Sequence, residues 1–213
     1  MNASLSFRGF VLILMLFPYF AQTQSWDFIK EKNGIKIYTC TPVYSSFKCF
    51  KGETVLHATM QEIGRYIGNV KNFNWWDKNI RDLKVIGPGT DAHVRYYFIY
   101  DVPWPLSDRD ICVDVSISID SVTGVKTVFA KPLPGVIPEY DDIVRIKNYW
   151  QKWTLTPAGS NSVNAVLEGF VDPAGSVPAW LYNMVIVETP LKVMGGIKER
   201  LEGPLKDQLN TTN

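Results

Sequence analysis

The stretch DPAGSVPAWLYN (residues 172–183) leads from a turn into a long apolar helix near the C-terminus. Pro173 and Gly175 punctuate the turn, and Ser176 is a suitable N-cap because its hydroxyl can accept an unpaired backbone N–H of the first helical turn. Pro178 fits within that first turn, where its missing N–H costs nothing. Because a run of strands precedes this helix, we expect a sheet wrapped around it, with a ligand pocket between the two.

The C-terminal helix is predicted over residues 177–202, because apolar residues recur there at helical spacing. The stripe consists of Val177, Trp180, Leu181, Met184, Val187, Leu191, Met194, Ile197 and Leu201. Pro190 removes one N–H and crowds the carbonyl of Ile186, which predicts a kink. Gly195-Gly196 leaves a weakly helical patch, and Gly203-Pro204 ends the helix.

Most of the remaining chain shows the alternation of strands. In residues 111–120 five apolar residues at odd positions face one side and polar residues the other. Further strands are predicted at 35–38, 47–57, 82–86, 93–100, 127–130, 144–156 and 162–170, with short helices at 59–67, capped by Thr59, and at 70–76. Hairpin-connected strands with helices gathered at one face indicate an α+β fold.

The N-terminus has the three parts of a secretory signal. Arg8 is its one charge, residues 10–20 are almost wholly apolar, and residues 21–25 are small or polar. We expect a signal peptide over residues 1–23, with its end between 21 and 25, and therefore an exported protein, periplasmic or secreted. The apolar run is shorter than the ~20 residues that span a bilayer; the alternative is an uncleaved membrane anchor. A single domain is expected over 26–203, followed by a tail over 204–213.

Composition and motifs exclude several classes of function. From Trp26 onward 21 basic residues balance 21 acidic ones, which argues against a nucleic-acid partner. His57 and His93 lie in no metal-ligand spacing, and no C-x-x-C, phosphate-binding loop or nucleophile elbow occurs. We expect no metal, no cofactor and no catalytic residue. Cys40 and Cys49 flank a predicted hairpin loop. An exported protein can join them in a disulfide, and the alternative is two free thiols.

Four segments give the chain a resemblance to a known family: NGIKIYT (33–39), PWPLSDRD (103–110), the region from VRIKNYWQKWTL (144–155) and VDPAGSVPAWLYN (171–183). In this order and spacing they resemble the START family of lipid-transfer domains over residues 26–201. The resemblance implies a helix-grip fold, in which a curved antiparallel sheet closes around the C-terminal helix and encloses a hydrophobic cavity for one lipid. The helix and a nearby loop act as the lid, and family members need no cofactor.

Candidate cavity residues come from the helix and from the strands. Trp180, Met184, Val187 and Leu191 are predicted to face the cavity, where a flexible thioether suits variable acyl chains; the alternative is plain core. Tyr149 and Trp153 share a strand face opposite Lys152, which favours an inward direction for both. Tyr97 and Phe170 complete the strand candidates.

Two further elements concern the lipid headgroup. Trp76-Asp77 matches a Trp-Asp pair near the headgroup site of phosphatidylcholine-carrying relatives, but their phosphate-binding Arg is replaced here by Phe73, so a less polar lipid is at least as good a candidate. Arg109 faces inward if Ile111 does, and Asp110 then faces outward. A buried Arg needs a ligand headgroup or a carboxylate partner; the candidate partners are Asp77, Glu168 and Asp172.

The loop over residues 102–106 carries Trp104 and Leu106 between prolines. In the family the matching loop lies at the tunnel mouth and can touch membrane, a location that suits an indole; the alternative is a buried loop anchor. Together these features predict a monomeric lipid-binding protein for transfer or sensing that meets a membrane transiently. The alternative is an enzyme of the polyketide cyclase or hydratase type, in which Asp77, Arg109 and Tyr149 would serve.

Overall fold

The computed structural model describes residues 25–67, 78–90 and 92–203. Ten strands in this part of the chain form one sheet: β1 (Asp27–Lys32), β2 (Ile35–Cys40), β3 (Cys49–Leu56), β4 (Ile80–Val85), β5 (His93–Tyr100), β6 (Arg109–Ile119), β7 (Lys126–Pro132), β8 (Val144–Arg145), β9 (Tyr149–Pro157) and β10 (Val163–Val171). Their order is β1-β2-β3-β10-β9-β7-β6-β5-β4, and neighbours are antiparallel. The short β8 pairs with β6 in parallel.

Three helices lie in the same part of the chain: α1 (Met60–Gly64), α2 (Ala179–Val185) and α3 (Thr189–Glu202). The predicted cap of α1 is confirmed, because the Thr59 hydroxyl accepts the Glu62 N–H and the Glu62 carboxylate accepts the Thr59 N–H. The predicted helix at 70–76, the signal peptide and the C-terminal tail lie outside the described residues.

One face of the sheet, here called the inner face, carries the main core together with the helices. Its buried strand residues are Ile35, Ile37, Phe50, Leu56, Ile111, Val113, Val115, Leu155, Ala165 and Leu167. The α3 helix lies against β2 and β3, and it buries Val193, Met194, Ile197 and Leu201. The expected α+β arrangement, an antiparallel sheet around the C-terminal helix, is confirmed.

Gly52 of β3 explains how closely α3 can approach the sheet. A Cβ at this position would lie 2.5 Å from the Met194 sulfur and 2.7 Å from the Pro190 Cβ. Such contacts are far inside the van der Waals distance. The missing side chain therefore lets the start of α3 lie directly on the strand.

The C-terminal helical segment differs in two ways from the prediction. Its first helix begins at Ala179 with Pro178 as N-cap, so Ser176 is not the cap, because a proline ring disfavours helical geometry at the preceding residue, Val177. A 3₁₀ turn over Ile186–Glu188 separates α2 from α3. The turn ends two residues before Pro190, so the kink predicted at this proline is confirmed.

The opposite, outer face of the sheet carries two smaller clusters. Cys40 and Cys49 form a disulfide, packed with Phe170. Asp110 is 1% exposed and accepts a bidentate contact from Arg145, at 2.6 and 2.8 Å. Asp110 thus faces outward as predicted but is buried, because the segment that follows β7 covers it.

Candidate ligand-binding interior

Aromatic side chains of β5 cover the inner face on the side away from α3. Tyr96, Phe98 and Tyr100 alternate along the strand and pack on the main core. Phe98 lies opposite Ile111 and Tyr96 opposite Val113 in the neighbouring strand β6. The rings of Tyr96 and Phe98 are stacked, with centroids 6.0 Å apart. These side chains extend the apolar surface well beyond the strands that α3 contacts.

Two predicted cavity residues of β9 lie on this inner face. Trp153 is 5% exposed within the main core, and Tyr149 packs against it. The Tyr149 hydroxyl donates to the Gln151 side-chain oxygen at 3.2 Å. Burial raises the pKa of Tyr149 well above its usual range, with a further contribution from nearby Tyr96. The phenol is therefore neutral and acts as a hydrogen-bonding group in an apolar surrounding.

The structure places Tyr97 and Phe170 on the outer face, so neither belongs to the interior. Tyr97 packs in a separate cluster with Ile99 and Cys112, and its hydroxyl donates to Asp110 at 3.1 Å. Phe170 packs against the disulfide. The physical reason is strand alternation, which puts Tyr97 between the inward Tyr96 and Phe98.

On α2 the buried side is not the one that the sequence predicted, whereas Met194, Ile197 and Leu201 of α3 are buried as predicted. Trp180 is 69% exposed and Met184 59% exposed. Tyr182 and Ile186 point into the core in their place. Because α2 carries apolar residues on both sides, hydropathy does not set its direction.

The last two helical candidates lie nearer to the core. Val187, in the 3₁₀ turn, is half-buried. Leu191, in the first turn of α3, is partly buried and packs against the main core. Leu191 therefore keeps the inward direction that the sequence predicted.

Tyr182 is a residue that the sequence analysis missed. It is 8% exposed, and its ring meets Phe47 edge-on with centroids 5.2 Å apart. Its hydroxyl is buried and has no hydrogen-bond partner in the described part of the chain. Burial raises its pKa, with a smaller contribution from Asp172. A buried neutral donor on the helix is thus available to a ligand.

Next to Tyr182, Asn183 fastens α2 to the loop between β2 and β3. Its side-chain oxygen accepts the Lys48 N–H at 2.8 Å, and its NH₂ donates to the Ser46 carbonyl at 3.0 Å. The disulfide between Cys40 and Cys49 closes the base of the same loop. The position of α2 therefore depends on a covalently closed loop.

Arg109 is buried as predicted, but its partners are not carboxylates. All three guanidinium nitrogens donate to backbone carbonyls, those of Ser107, Pro173 and Ala174. Burial lowers its pKa, and nearby Asp108 opposes that effect. Arg109 thus ties the loop before β6 to the turn before α2.

Of the three carboxylates proposed as partners of Arg109, two have other partners and one is not described. Glu168 pairs with Lys152 at 2.7 Å, and the Asp172 carboxylate accepts the Ala174 N–H at 3.0 Å. Asp77, together with Trp76, lies outside the described residues.

The loop before β6 presents Trp104 to solvent. Trp104 is 92% exposed, and Leu106 is half-buried. The Asp108 carboxylate accepts the Val102 N–H at 3.0 Å and a contact from Arg81 at 2.7 Å. These bonds lower the pKa of Asp108 and hold the loop in place. Trp104 is therefore an exposed indole on a fixed loop and not a buried anchor.

The part of the chain that the structure describes offers neither a metal site nor a membrane-spanning helix. No group of three or more His, Cys, Asp or Glu residues in the described ranges could hold a metal ion. No helix among the described residues is long and apolar enough to cross a membrane.

Comparison with known sequences gives relatives that span most of the chain. The sequence is 27% identical over 183 residues to an uncharacterized protein of Pseudomonas aeruginosa, covering 85% of this chain and 89% of that protein. It is 24% identical over 162 residues to the phosphatidylcholine transfer protein of Rattus norvegicus, covering 74% of this chain and 75% of that protein. No protein-family model matches the sequence.

Solved structures show the same architecture. A STAR-related lipid transfer protein fragment from Xanthomonas axonopodis is 27% identical with a TM-score of 0.74, covering 83% of this chain and 98% of that one. Human StAR-related lipid transfer protein 5 is 17% identical with a TM-score of 0.76, covering 89% and 90%. The protein therefore has a helix-grip fold, and the resemblance to the START family is confirmed.

Proposed function

We propose that the protein binds one lipid between the inner face of its sheet and its C-terminal helical segment, and carries it between membranes. The observation that carries this proposal is the extent of the apolar inner face. The α3 helix lies on β2 and β3, whereas apolar and aromatic side chains continue across β9, β6 and β5. A lipid on this surface gains about 0.8 kcal/mol for each CH₂ removed from water.

The names of the relatives support a lipid as the ligand. Proteins named for phosphatidylcholine transfer and for STAR-related lipid transfer match this chain over most of its length. Phosphatidylcholine itself is less well supported, because Phe73 stands where the resemblance places a phosphate-binding Arg.

Exposed tryptophans support transient contact with a membrane. Trp104 and Trp180 are both largely exposed. Arg109 bonds to the carbonyls of Ser107 and Ala174, which lie three residues after Trp104 and six residues before Trp180. An indole is favourable at a membrane interface because its ring is apolar and its N–H is polar. We propose that lipid exchange occurs when α2 moves while this end of the protein touches a bilayer.

We further propose that the protein is exported and monomeric. The signal-like residues 1–23 and the disulfide between Cys40 and Cys49 both fit export to an oxidising compartment. We also propose that it is not an enzyme. Of the residues suggested for a cyclase, Arg109 is bound by three backbone carbonyls, and Tyr149 is bonded to Gln151.

Lipid extraction from the purified protein, followed by mass spectrometry, tests the proposal. We expect one lipid per protein, and we expect labelled lipid to pass between vesicles faster when the protein is present. Binding without transfer would indicate a sensor. An empty protein that turns over an aromatic polyketide would establish the enzyme alternative.

A further inference from the structure

We propose that Tyr182 is a ligand-binding residue whose hydroxyl donates a hydrogen bond to an uncharged oxygen of the lipid. The acceptor is an ester or amide carbonyl or a hydroxyl group. The inference rests on the proposed function, because it names the class of lipid that the same interior takes. It predicts a preference for neutral lipids such as diacylglycerols, ceramides or sterols over lipids with a charged headgroup.

The first argument is the unmade hydrogen bond. The Tyr182 hydroxyl is buried and lacks a partner within the described part of the chain. An unmade hydrogen bond of a buried polar group costs about 1–3 kcal/mol, and buried side-chain donors in native proteins almost always have partners. Two groups act on this hydroxyl: the Asp172 carboxylate through its charge, and the Val171 N–H, which is itself a donor and can approach only the hydroxyl oxygen, so the hydroxyl proton has no acceptor. An acceptor supplied by a ligand would complete the site.

The second argument is that the hydroxyl oxygen is held in a fixed position. The Phe47 ring lies edge-on against Tyr182, and the next residue, Asn183, is bonded to the backbone of Ser46 and Lys48. Rotation of the phenol ring about its own axis leaves its oxygen in place. The donor is therefore preorganised, which lowers the entropy cost of binding.

The third argument concerns charge. Arg109, the buried cation at this end of the interior, has all three guanidinium nitrogens bonded to carbonyls. The buried pair of Asp110 and Arg145 lies on the outer face and is mutually neutralised. A phosphate buried beside Tyr182 would find three of the five Arg109 N–H groups already bonded to the backbone, which leaves at most two for a headgroup, and an incompletely paired buried charge costs several kcal/mol. An uncharged oxygen carries no such penalty.

Lys126 is a second positive charge on the inner face, but it lies far from Tyr182. It is half-buried at the start of β7, where it pairs with Leu155 near the far end of β9. Tyr149, at the opposite end of β9, pairs with Val171 beside Tyr182. Leu155 is six residue steps along the strand from Tyr149, about 20 Å. The polar group of a lipid cannot meet both Tyr182 and Lys126.

The test compares the wild type with Tyr182→Phe in the delipidated full chain. Vesicles would present diacylglycerol, ceramide, a sterol or phosphatidylcholine, with acyl chains matched where the lipid has them. We expect the wild type to prefer at least one neutral lipid to phosphatidylcholine. Tyr182→Phe should weaken binding of that lipid roughly 5- to 100-fold, the value of one hydrogen bond, and should leave binding of a pure hydrocarbon probe unchanged. The lipid whose affinity falls most in Tyr182→Phe is the one that carries the accepting oxygen.

Tyr38→Phe is the matched control, because that hydroxyl donates to Glu53 at 3.1 Å, away from the interior. It should change no lipid affinity. The unfolding of ligand-free protein adds a second readout: Tyr182→Phe should be as stable as the wild type or more stable, since it removes an unpaired group.

Two results would overturn the role of Tyr182 and leave the proposed function intact. One is equal affinity of wild type and Tyr182→Phe for every neutral lipid. The other is a clear loss of ligand-free stability in Tyr182→Phe, which would mean that the protein itself supplies the partner. Tighter binding of phosphatidylcholine than of all neutral lipids would overturn the lipid class. Failure of the wild type to bind any of these lipids would instead overturn the proposed function.

Discussion

The two helices of the C-terminal segment are held in different ways. The α3 helix buries Pro190, Val193, Met194, Ile197 and Leu201 against the sheet and α1. The α2 helix buries only Tyr182 among its seven residues and is fastened by the Asn183 side chain and the turn before it. We infer that α3 is part of the core, whereas α2 can detach at modest cost. A lid therefore consists of α2 and not of the whole segment.

Met194→Ala should have the largest effect on stability. Met194 is 1% exposed and lies over Gly52, so its truncation leaves a cavity that costs about 2–5 kcal/mol. Denaturant unfolding measures this loss. Met184→Ala is the matched control in α2, and since its side chain is exposed the change should stay within about 0.5 kcal/mol. Equal losses in the two variants would contradict the distinction between the helices.

Arg109→Ala should remove the anchor of the turn before α2. Three carbonyls lose their donors, and we expect a loss of about 2–4 kcal/mol together with faster lipid release. Arg109→Lys keeps the charge but not the planar fork, so it should restore only part of the stability. An unchanged melting temperature and unchanged lipid release in Arg109→Ala would show that the three hydrogen bonds of Arg109 do not hold the turn before α2.

Opening the disulfide should loosen the loop that holds α2. Reduction of Cys40–Cys49 by a dithiol adds two electrons and two protons and yields two thiols. Because the bond closes a loop of about ten residues, its loss should cost about 2–3 kcal/mol. We also expect faster lipid release. Reductant should have no effect on a Cys40→Ser/Cys49→Ser variant; an effect there would assign the change to another group.

Asn183→Ala should affect α2 selectively. Loss of its two hydrogen bonds to the loop should cost about 1–2 kcal/mol. Hydrogen exchange should speed up in α2 and stay unchanged in α3. Asn183→Asp retains the acceptor for the Lys48 N–H and loses the donor to Ser46, so an intermediate rate is expected. Uniform acceleration across both helices would mean that they open as one unit.

The sequence predicts which side chains of a strand face inward only where apolar and polar residues alternate regularly along that strand. In β6 the large apolar residues Ile111, Val113 and Val115 stand at alternate positions, so an inward direction could be predicted for Ile111, and with it for Arg109, and it is confirmed. The β5 strand reads Tyr96, Tyr97, Phe98, with no polar residue to set the phase, and Tyr97 was assigned to the wrong face. The exposed Arg95, which shares the face of Tyr97, is the signal that could have decided it.

Other features depend on contacts that local sequence does not reveal. The β1 strand, DFIKEK, is almost wholly exposed and has no apolar alternation, so it was missed. The direction of α2 is set by Asn183, whose partners lie about 135 positions earlier in the chain. The split of the predicted strand 144–156 into β8 and β9 follows from the pairing of β8 with a different neighbour, β6.

Trp104→Ala should have the smallest effect on stability and a selective effect on transfer. The side chain is 92% exposed, so its loss should change unfolding by less than about 0.5 kcal/mol. If the indole enters the bilayer interface, transfer between vesicles should slow by a few-fold to tenfold, about 1 kcal/mol, while equilibrium lipid binding stays constant.

Val122→Ala is the matched control for Trp104→Ala. Val122 is 91% exposed but lies beyond the far end of β6, about 36 Å of strand away. Its truncation should change neither binding nor transfer. Equal slowing in both variants would argue for a general surface effect. Equal losses of binding and transfer in Trp104→Ala would show that Trp104 supports the bound lipid and not the membrane contact, and α2 would then have to meet the bilayer alone.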